Sequence, residues 1–155
     1  MEHQILLRVV TKLLLPFIVL FGLYVIVHGE LSPGGGFQGG VLIAVGFILY
    51  GIVFGRNELE KILPHRVSDL LAAGGVLVYA GTGFACLFAG GHFLDYRALF
   101  PTWPALGLSL VEYGVGMTVS MVMVTIYNKI TEPGPGMPPE TGGEAAGGTG
   151  GAAPR

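Results

Sequence analysis

Four long apolar stretches, each almost free of charge, divide the chain. They cover residues 13–29, 37–55, 70–91 and 105–127, and Glu112 is the one charged residue inside them. Each stretch is close to the roughly 20 residues that a helix needs to cross a bilayer. The pattern therefore predicts an all-α membrane protein with four transmembrane helices, at about 5–28, 37–55, 68–90 and 105–128.

The first apolar stretch is the shortest, so we expect its helix to begin near Ile5. This start places Arg8 and Lys12 one turn apart at the end of the helix, where long basic side chains reach toward the headgroups. A cleavable signal peptide is the alternative, because basic residues precede an apolar run. It is disfavoured because the run ends in Val-His-Gly-Glu, which lacks a small-x-small cleavage site.

Composition supports a membrane protein and excludes several other classes. Hydrophobic residues make up 52% of the 155 positions and charged residues only 12%, whereas soluble domains carry about 25% charged residues. The net charge of −2 provides no basic surface for nucleic acid. The single cysteine, Cys86, excludes an internal disulfide and a cysteine-based metal site. We therefore expect no nucleic acid partner and no cofactor.

The distribution of basic residues predicts the orientation of the helices. One side of the membrane would hold Arg8, Lys12, Arg56, Lys61, Arg66 and Lys129, whereas the other side would hold Arg97. Because lysine and arginine are enriched in cytoplasmic connections, we expect both termini in the cytoplasm. An even number of spans agrees with this arrangement.

The chain divides into a membrane domain and a tail. Residues 1–131 form the predicted four-helix domain, and residues 132–155 are rich in Gly, Pro and Ala without apolar periodicity. Such a composition predicts disorder, so we assign the tail no chemistry. The longest connections are about a dozen residues, too short for a soluble catalytic domain. We expect a function inside the membrane or through partner proteins, and no enzyme activity.

The connection between the first two helices is the most unusual local sequence, Ser-Pro-Gly-Gly-Gly-Phe-Gln-Gly-Gly at positions 32–40. It formally contains G-x-G-x-x-G, but membrane helices flank it instead of the strand that a dinucleotide site requires. Two interpretations stay open. The glycines form a tightly packed connection between helices, or their backbone groups contact ions or water directly.

Glu112 is the principal candidate for chemistry. A carboxylate inside a span is costly, and such residues commonly serve as proton or ion relays. At 100° per residue, Ser109, Glu112, Gly116 and Ser120 share one stripe of the fourth helix, which therefore faces protein. Two interpretations stay open: Glu112 exchanges a proton or cation, or it pairs with a basic residue of another subunit and serves assembly.

The third predicted helix carries a stripe of small and hydroxyl residues, namely Ser68, Ala72, Gly75, Tyr79, Thr82 and Cys86. Small residues let membrane helices approach closely, so we expect this stripe to pack against a neighbouring helix. Asp69 and Ser68 are expected to stabilise and cap the start of the helix, with proton entry at Asp69 as the alternative. The histidines are too dispersed for a metal site, so we predict none.

The segment HGELSPGGGFQGG, at positions 28–40 between two membrane helices, resembles the B subunit of Mrp-type multisubunit Na⁺/H⁺ antiporters. A related domain occurs in energy-converting membrane hydrogenases. The similarity extends from about residue 7 to residue 132. The family motif falls on His28, Gly29, Pro33, Gly34, Gly35, Gly36, Phe37, Gly39 and Gly40. Glu30 departs from the pattern, because relatives commonly have a second histidine there.

The resemblance implies a small four-helix subunit of a large complex that exchanges sodium ions for protons. Its partners would be the other antiporter subunits and the bilayer, in the plasma membrane of a prokaryote. The resemblance does not assign the ion path to this subunit. A mainly structural subunit in the sodium-translocating module of a hydrogenase-like complex is the alternative. From the residues themselves, the candidates for the ion path are Glu112, Ser109, Ser120 and Asp69.

Overall fold

The computed structural model describes residues 2–132 except Glu30 and Ser32, and it describes no side chains before Ile5. Within that part every regular element is helical, in the order α1 (Glu2–Val27), α2 (Gly36–Phe54), α3 (Arg56–Ile62), α4 (His65–Phe88), α5 (Tyr96–Leu99) and α6 (Ala105–Ile130). The predicted tail lies, apart from Glu132, outside the described residues.

Four of these helices are long and apolar enough to cross a membrane. They are Ile5–Val27 within α1, Gly36–Phe54, His65–Phe88 and Ala105–Ile130. Large apolar side chains cover their outer surfaces, as at Phe17, Leu77 and Leu110. A bilayer satisfies such a surface, whereas water does not. The prediction of an all-α fold with four spans is confirmed.

The four long helices pack in the spatial order α1, α2, α6, α4. Pairs that follow each other along the chain are antiparallel: Gly22 of α1 faces Ile43 of α2, and Gly75 of α4 faces Gly114 of α6. The two central helices, α2 and α6, are parallel. Gly40 of α2 lies beside Gly116 of α6. A Cβ on Gly40 would lie 2.6 Å from the Gly116 carbonyl oxygen.

Small residues hold the helices together, as membrane helices require when lipid is as apolar as their side chains. The α4 stripe predicted from the sequence behaves in this way: Gly75, Ser68, Thr82 and Cys86 are buried. Thr118 of α6 adds a hydrogen bond across this contact, since its hydroxyl lies 3.1 Å from the Ala72 carbonyl oxygen. The stripe is therefore a packing surface.

Two short helices were not predicted from the sequence. The first, α3, covers one end of the bundle, where Leu59 is fully buried in a cluster with Ala44, Leu63, Met121 and Val124. Ion pairs surround this cluster: Glu60 accepts hydrogen bonds from Arg56 Nε at 2.8 Å and pairs with His65 Nε2 at 3.1 Å. The second, α5, packs against α4 and α6 at the opposite end.

The start of α4 differs from the predicted one. The helix begins at His65 with Pro64 at the N-cap position, in an extended conformation. Ser68 therefore lies inside the helix, where its N–H donates to the Pro64 carbonyl oxygen at 3.1 Å. The prediction that Ser68 caps the helix is wrong, because the fixed backbone angle of proline starts the helix one turn earlier.

Candidate functional site

Helix α6 carries Glu112 about two turns from its first residue, Ala105. The side chain is half-buried on the face directed toward α2 and toward the end of α1. Its carboxylate lies against Gly29, just after α1, and against Gly35, just before α2. The structure thus brings together the two features that the sequence analysis singled out separately, the intramembrane acid and the glycine motif.

Glycine lets the backbone approach Glu112 closely at three positions. A Cβ at Gly35 would lie 2.8 Å from Glu112 Oε1, and one at Gly29 would collide with both carboxylate oxygens. At Gly36 the collision would be with the main-chain oxygen of Glu112. Gly35 has φ −150° and ψ −150°, an extended conformation open to any residue. Close approach, rather than left-handed backbone, therefore explains the motif at this position.

The carboxylate lies at the N-terminus of α2, because Gly35 is the N-cap residue and Gly36 the first residue of that helix. The first N–H groups of a helix have no partner within it, and the helix dipole places partial positive charge there. Both effects stabilise an anion. The position of Glu112 thus lowers the cost of an ionised carboxylate inside a span.

Other motif residues connect the helices around this site. Gly39 packs against Ile26 of α1, and Gly40 packs against Gly116 of α6. His28, one residue beyond the end of α1, lies back against that helix, with Nδ1 3.2 Å from the Tyr24 carbonyl oxygen and its ring 4.1 Å from the Tyr24 ring. Phe37 is exposed on the outer surface, as is Pro33. Gly29, Gly35 and Gly36 face the site, whereas these two motif residues face outward.

The remaining sequence-predicted candidates are distributed differently. Ser109 is half-buried, and Ser120 is buried and donates to the Met117 carbonyl oxygen at 3.0 Å. Both share the Glu112 face of α6. Asp69 is exposed near the start of α4. Because α4 runs antiparallel to α6, Asp69 lies roughly 15 Å along the bundle from Glu112.

Sequence reasoning missed one feature of the site, because it did not predict that Gly29 lies against the Glu112 carboxylate. Glu30, the departure from the family pattern, lies outside the described residues. Within the described residues, no group of three or more His, Cys, Asp and Glu side chains is arranged to hold a metal ion.

Comparison with known sequences supplies the family. A family described as "Domain related to MnhB subunit of Na+/H+ antiporter" matches residues 6–125, which include the glycine motif and Glu112. The chain belongs to the MnhB family. The resemblance stated from the motif is thereby confirmed.

Individual members of the MnhB family match over most of their length. A Staphylococcus epidermidis protein named "Putative antiporter subunit mnhB2" is 35% identical over 136 residues, covering 84% of this chain and 96% of its own. Proteins of the same name from Staphylococcus haemolyticus and Staphylococcus aureus are 34% and 35% identical over 131 residues, with 81% of this chain and 92% of theirs covered. The family match thus spans all four long helices.

Proposed function

We propose that this MnhB-family chain is an integral membrane subunit of a Mrp-type Na⁺/H⁺ antiporter and that Glu112 transfers protons within it. The observation that carries the proposal is the contact of the Glu112 carboxylate with Gly29 and Gly35. An acid inside a span is held by the segment that distinguishes the family. Family membership and the four candidate spans support the subunit assignment.

The chemistry at Glu112 favours a proton over a sodium ion as the species it carries. The Glu112 carboxylate can accept and release a proton where it lies, beside the partial positive charge at the N-terminus of α2. A sodium ion bound to the same carboxylate would experience the positive end of that helix. We therefore assign the proton to Glu112 and place the sodium ion at another position in the complex.

The path to Glu112 follows the polar face of α6. Ser109 lies about one turn toward the start of the helix, and Ser120 about two turns toward its end. Their hydroxyl groups can hold water beside the acid. Asp69, exposed near the start of α4 and at the other end of the bundle from Glu112, is the proposed point of proton entry. With both termini in the cytoplasm, this end would face the cytoplasm.

The partners are the other subunits of the antiporter, in the plasma membrane of a prokaryote. The outer surfaces of α1 and α4 present apolar side chains suited either to lipid or to neighbouring helices. In a mainly structural subunit, the second candidate, Glu112 would be an anchor for assembly. The tight packing of glycines around the acid is the observation that favours this alternative.

The test separates proton transfer from assembly. Glu112→Gln retains the size of the side chain and removes its titration, and Glu58→Gln, on an exposed position of α3, is the matched control. Purified complexes are compared for subunit content and, in vesicles, for Na⁺-dependent proton flux. We expect Glu112→Gln to assemble fully with flux reduced by about tenfold or more. Normal flux would refute the proton role, and loss of neighbouring subunits would support the structural one.

A further inference from the structure

A second polar feature lies at the other end of the bundle, far from Glu112. Arg8 and Lys12 of α1 both lie over the ring of Phe54, the last residue of α2, with Arg8 Cζ 5.9 Å and Lys12 Nζ 5.2 Å from its centroid. Both basic residues are exposed. Two positive charges thus converge on one aromatic side chain at the edge of the spanning region.

Two neighbouring positive charges favour the binding of an anion. Two cations held near each other repel, and a cation–π contact with one shared ring offsets only part of that cost. Among the side chains that the structure describes, no carboxylate lies within 4.0 Å of either group. The nearby Arg56 is bound to Glu60 at 2.8 Å and does not compete for the same anion.

The surroundings identify the anion as part of a lipid. Arg8 and Lys12 lie in the first turns of the candidate span Ile5–Val27, and long basic side chains near the end of a span reach toward the phosphates of the headgroups. Pro16 and Leu23, both exposed, continue the Lys12 side of α1 toward the membrane centre. Tyr50 stacks on Phe54 with centroids 4.5 Å apart and completes an apolar wall. The headgroup would contact the two cations, and the acyl chain would contact the apolar wall.

We propose that Arg8, Lys12 and Phe54 form a binding site for the headgroup of an anionic phospholipid. The phosphate lies between the guanidinium and the ammonium group, and the acyl chain follows the exposed side of α1 that carries Pro16 and Leu23. Phe54 keeps the two cations in place when the site is empty. The site is separate from Glu112 and involves no ion transport, so it stands whether or not Glu112 carries protons.

The test measures lipid bound to the full-length chain in the intact complex. Complexes are reconstituted in vesicles of phosphatidylcholine or of an equimolar mixture with phosphatidylglycerol, extracted in mild detergent, and examined for retained lipid by mass spectrometry. We expect wild type to retain phosphatidylglycerol in preference to phosphatidylcholine. The double variant Arg8→Gln with Lys12→Gln should lower that preference by roughly tenfold or more.

Two controls make the result specific. Lys61→Gln removes an exposed charge that is paired with Glu58 at 2.6 Å, and it should leave the lipid preference unchanged. Phe54→Leu keeps both charges but removes the ring, and it should reduce retention to an intermediate level. Unchanged retention in the double variant, or an equal loss in Lys61→Gln, would overturn the proposal.

Two further outcomes would show that the site binds an anion other than a lipid. If inorganic phosphate displaced phosphatidylglycerol at low concentration, the site would be one for a free anion. If the double variant lost a neighbouring subunit and kept its lipid, the partner would be an acidic side chain of that subunit. Either result overturns the lipid proposal. Proton flux in Glu112→Gln is a separate readout, so failure of one proposal is distinguishable from failure of the other.

Discussion

Gly35 and Glu112 are in direct contact across the α2–α6 interface, and a Cβ at position 35 would lie 2.8 Å from the carboxylate oxygen Oε1. The acid therefore lies against the backbone at this point. The contact depends on the absence of a single methyl group. Side-chain size at position 35 thus controls where the carboxylate can lie.

The first prediction follows from this contact. Gly35→Ala should displace the Glu112 side chain and lower Na⁺-dependent proton flux, with little change in stability, because the displaced atoms are the far end of a flexible side chain. Gly81→Ala is the matched control, because a Cβ there meets nothing within 4 Å. Flux in vesicles and thermal unfolding of the complex measure both effects. Wild-type flux in Gly35→Ala would show that the position of Glu112 is not critical.

The second prediction concerns the packing of the central helices. Gly40→Ala places a methyl group 2.6 Å from the Gly116 carbonyl oxygen, in backbone that has no flexible side chain to move away. We expect α2 and α6 to separate, with a loss of roughly 1–3 kcal/mol in the free energy of unfolding. Unfolding of the full chain in detergent measures it. A variant as stable as Gly81→Ala would contradict the close approach of these helices.

The sequence predicted the spans well because apolar length is a direct requirement of the bilayer. It also predicted the small-residue face of α4, since close helix packing leaves a pattern at three- and four-residue spacing. It did not predict α3, whose seven residues are mostly polar and whose single buried anchor, Leu59, gives no periodic signal. The meeting of Gly29 with Glu112 was not predictable either, because it depends on the register between helices distant in sequence.

The third prediction tests the role of Leu59, the buried residue of α3. Leu59 is fully buried against Leu63, Met121 and Val124, so Leu59→Ala should leave a cavity at the end of the bundle. We expect a loss of about 2–5 kcal/mol in the free energy of unfolding. Ile62→Ala on the same helix is the control, because Ile62 is 52% exposed. Denaturation of the full chain in detergent compares them, and equal effects would mean that α3 does not close the core.

The fourth prediction concerns pH and the end of α6. The hydrogen bond from Lys129, at 3.2 Å, lowers the pKa of Glu132 below its usual value, and the charges of Lys129 and Arg56 add to this effect. A carboxylate with a lowered pKa in the folded state stabilises the fold above its unfolded pKa. That contribution is lost as the pH falls through the lowered value.

Wild type should therefore unfold at a higher temperature than Glu132→Gln at neutral pH, and the difference should vanish in acid below the lowered pKa of the folded state. The difference is expected to be small, because the pair is exposed and screened by solvent. Lys129→Gln should remove most of it, since that substitution deletes the hydrogen-bond donor. Thermal unfolding of the full chain across this pH range is the measurement. A Glu132→Gln difference that persisted in acid would show that Glu132 acts through packing instead of charge.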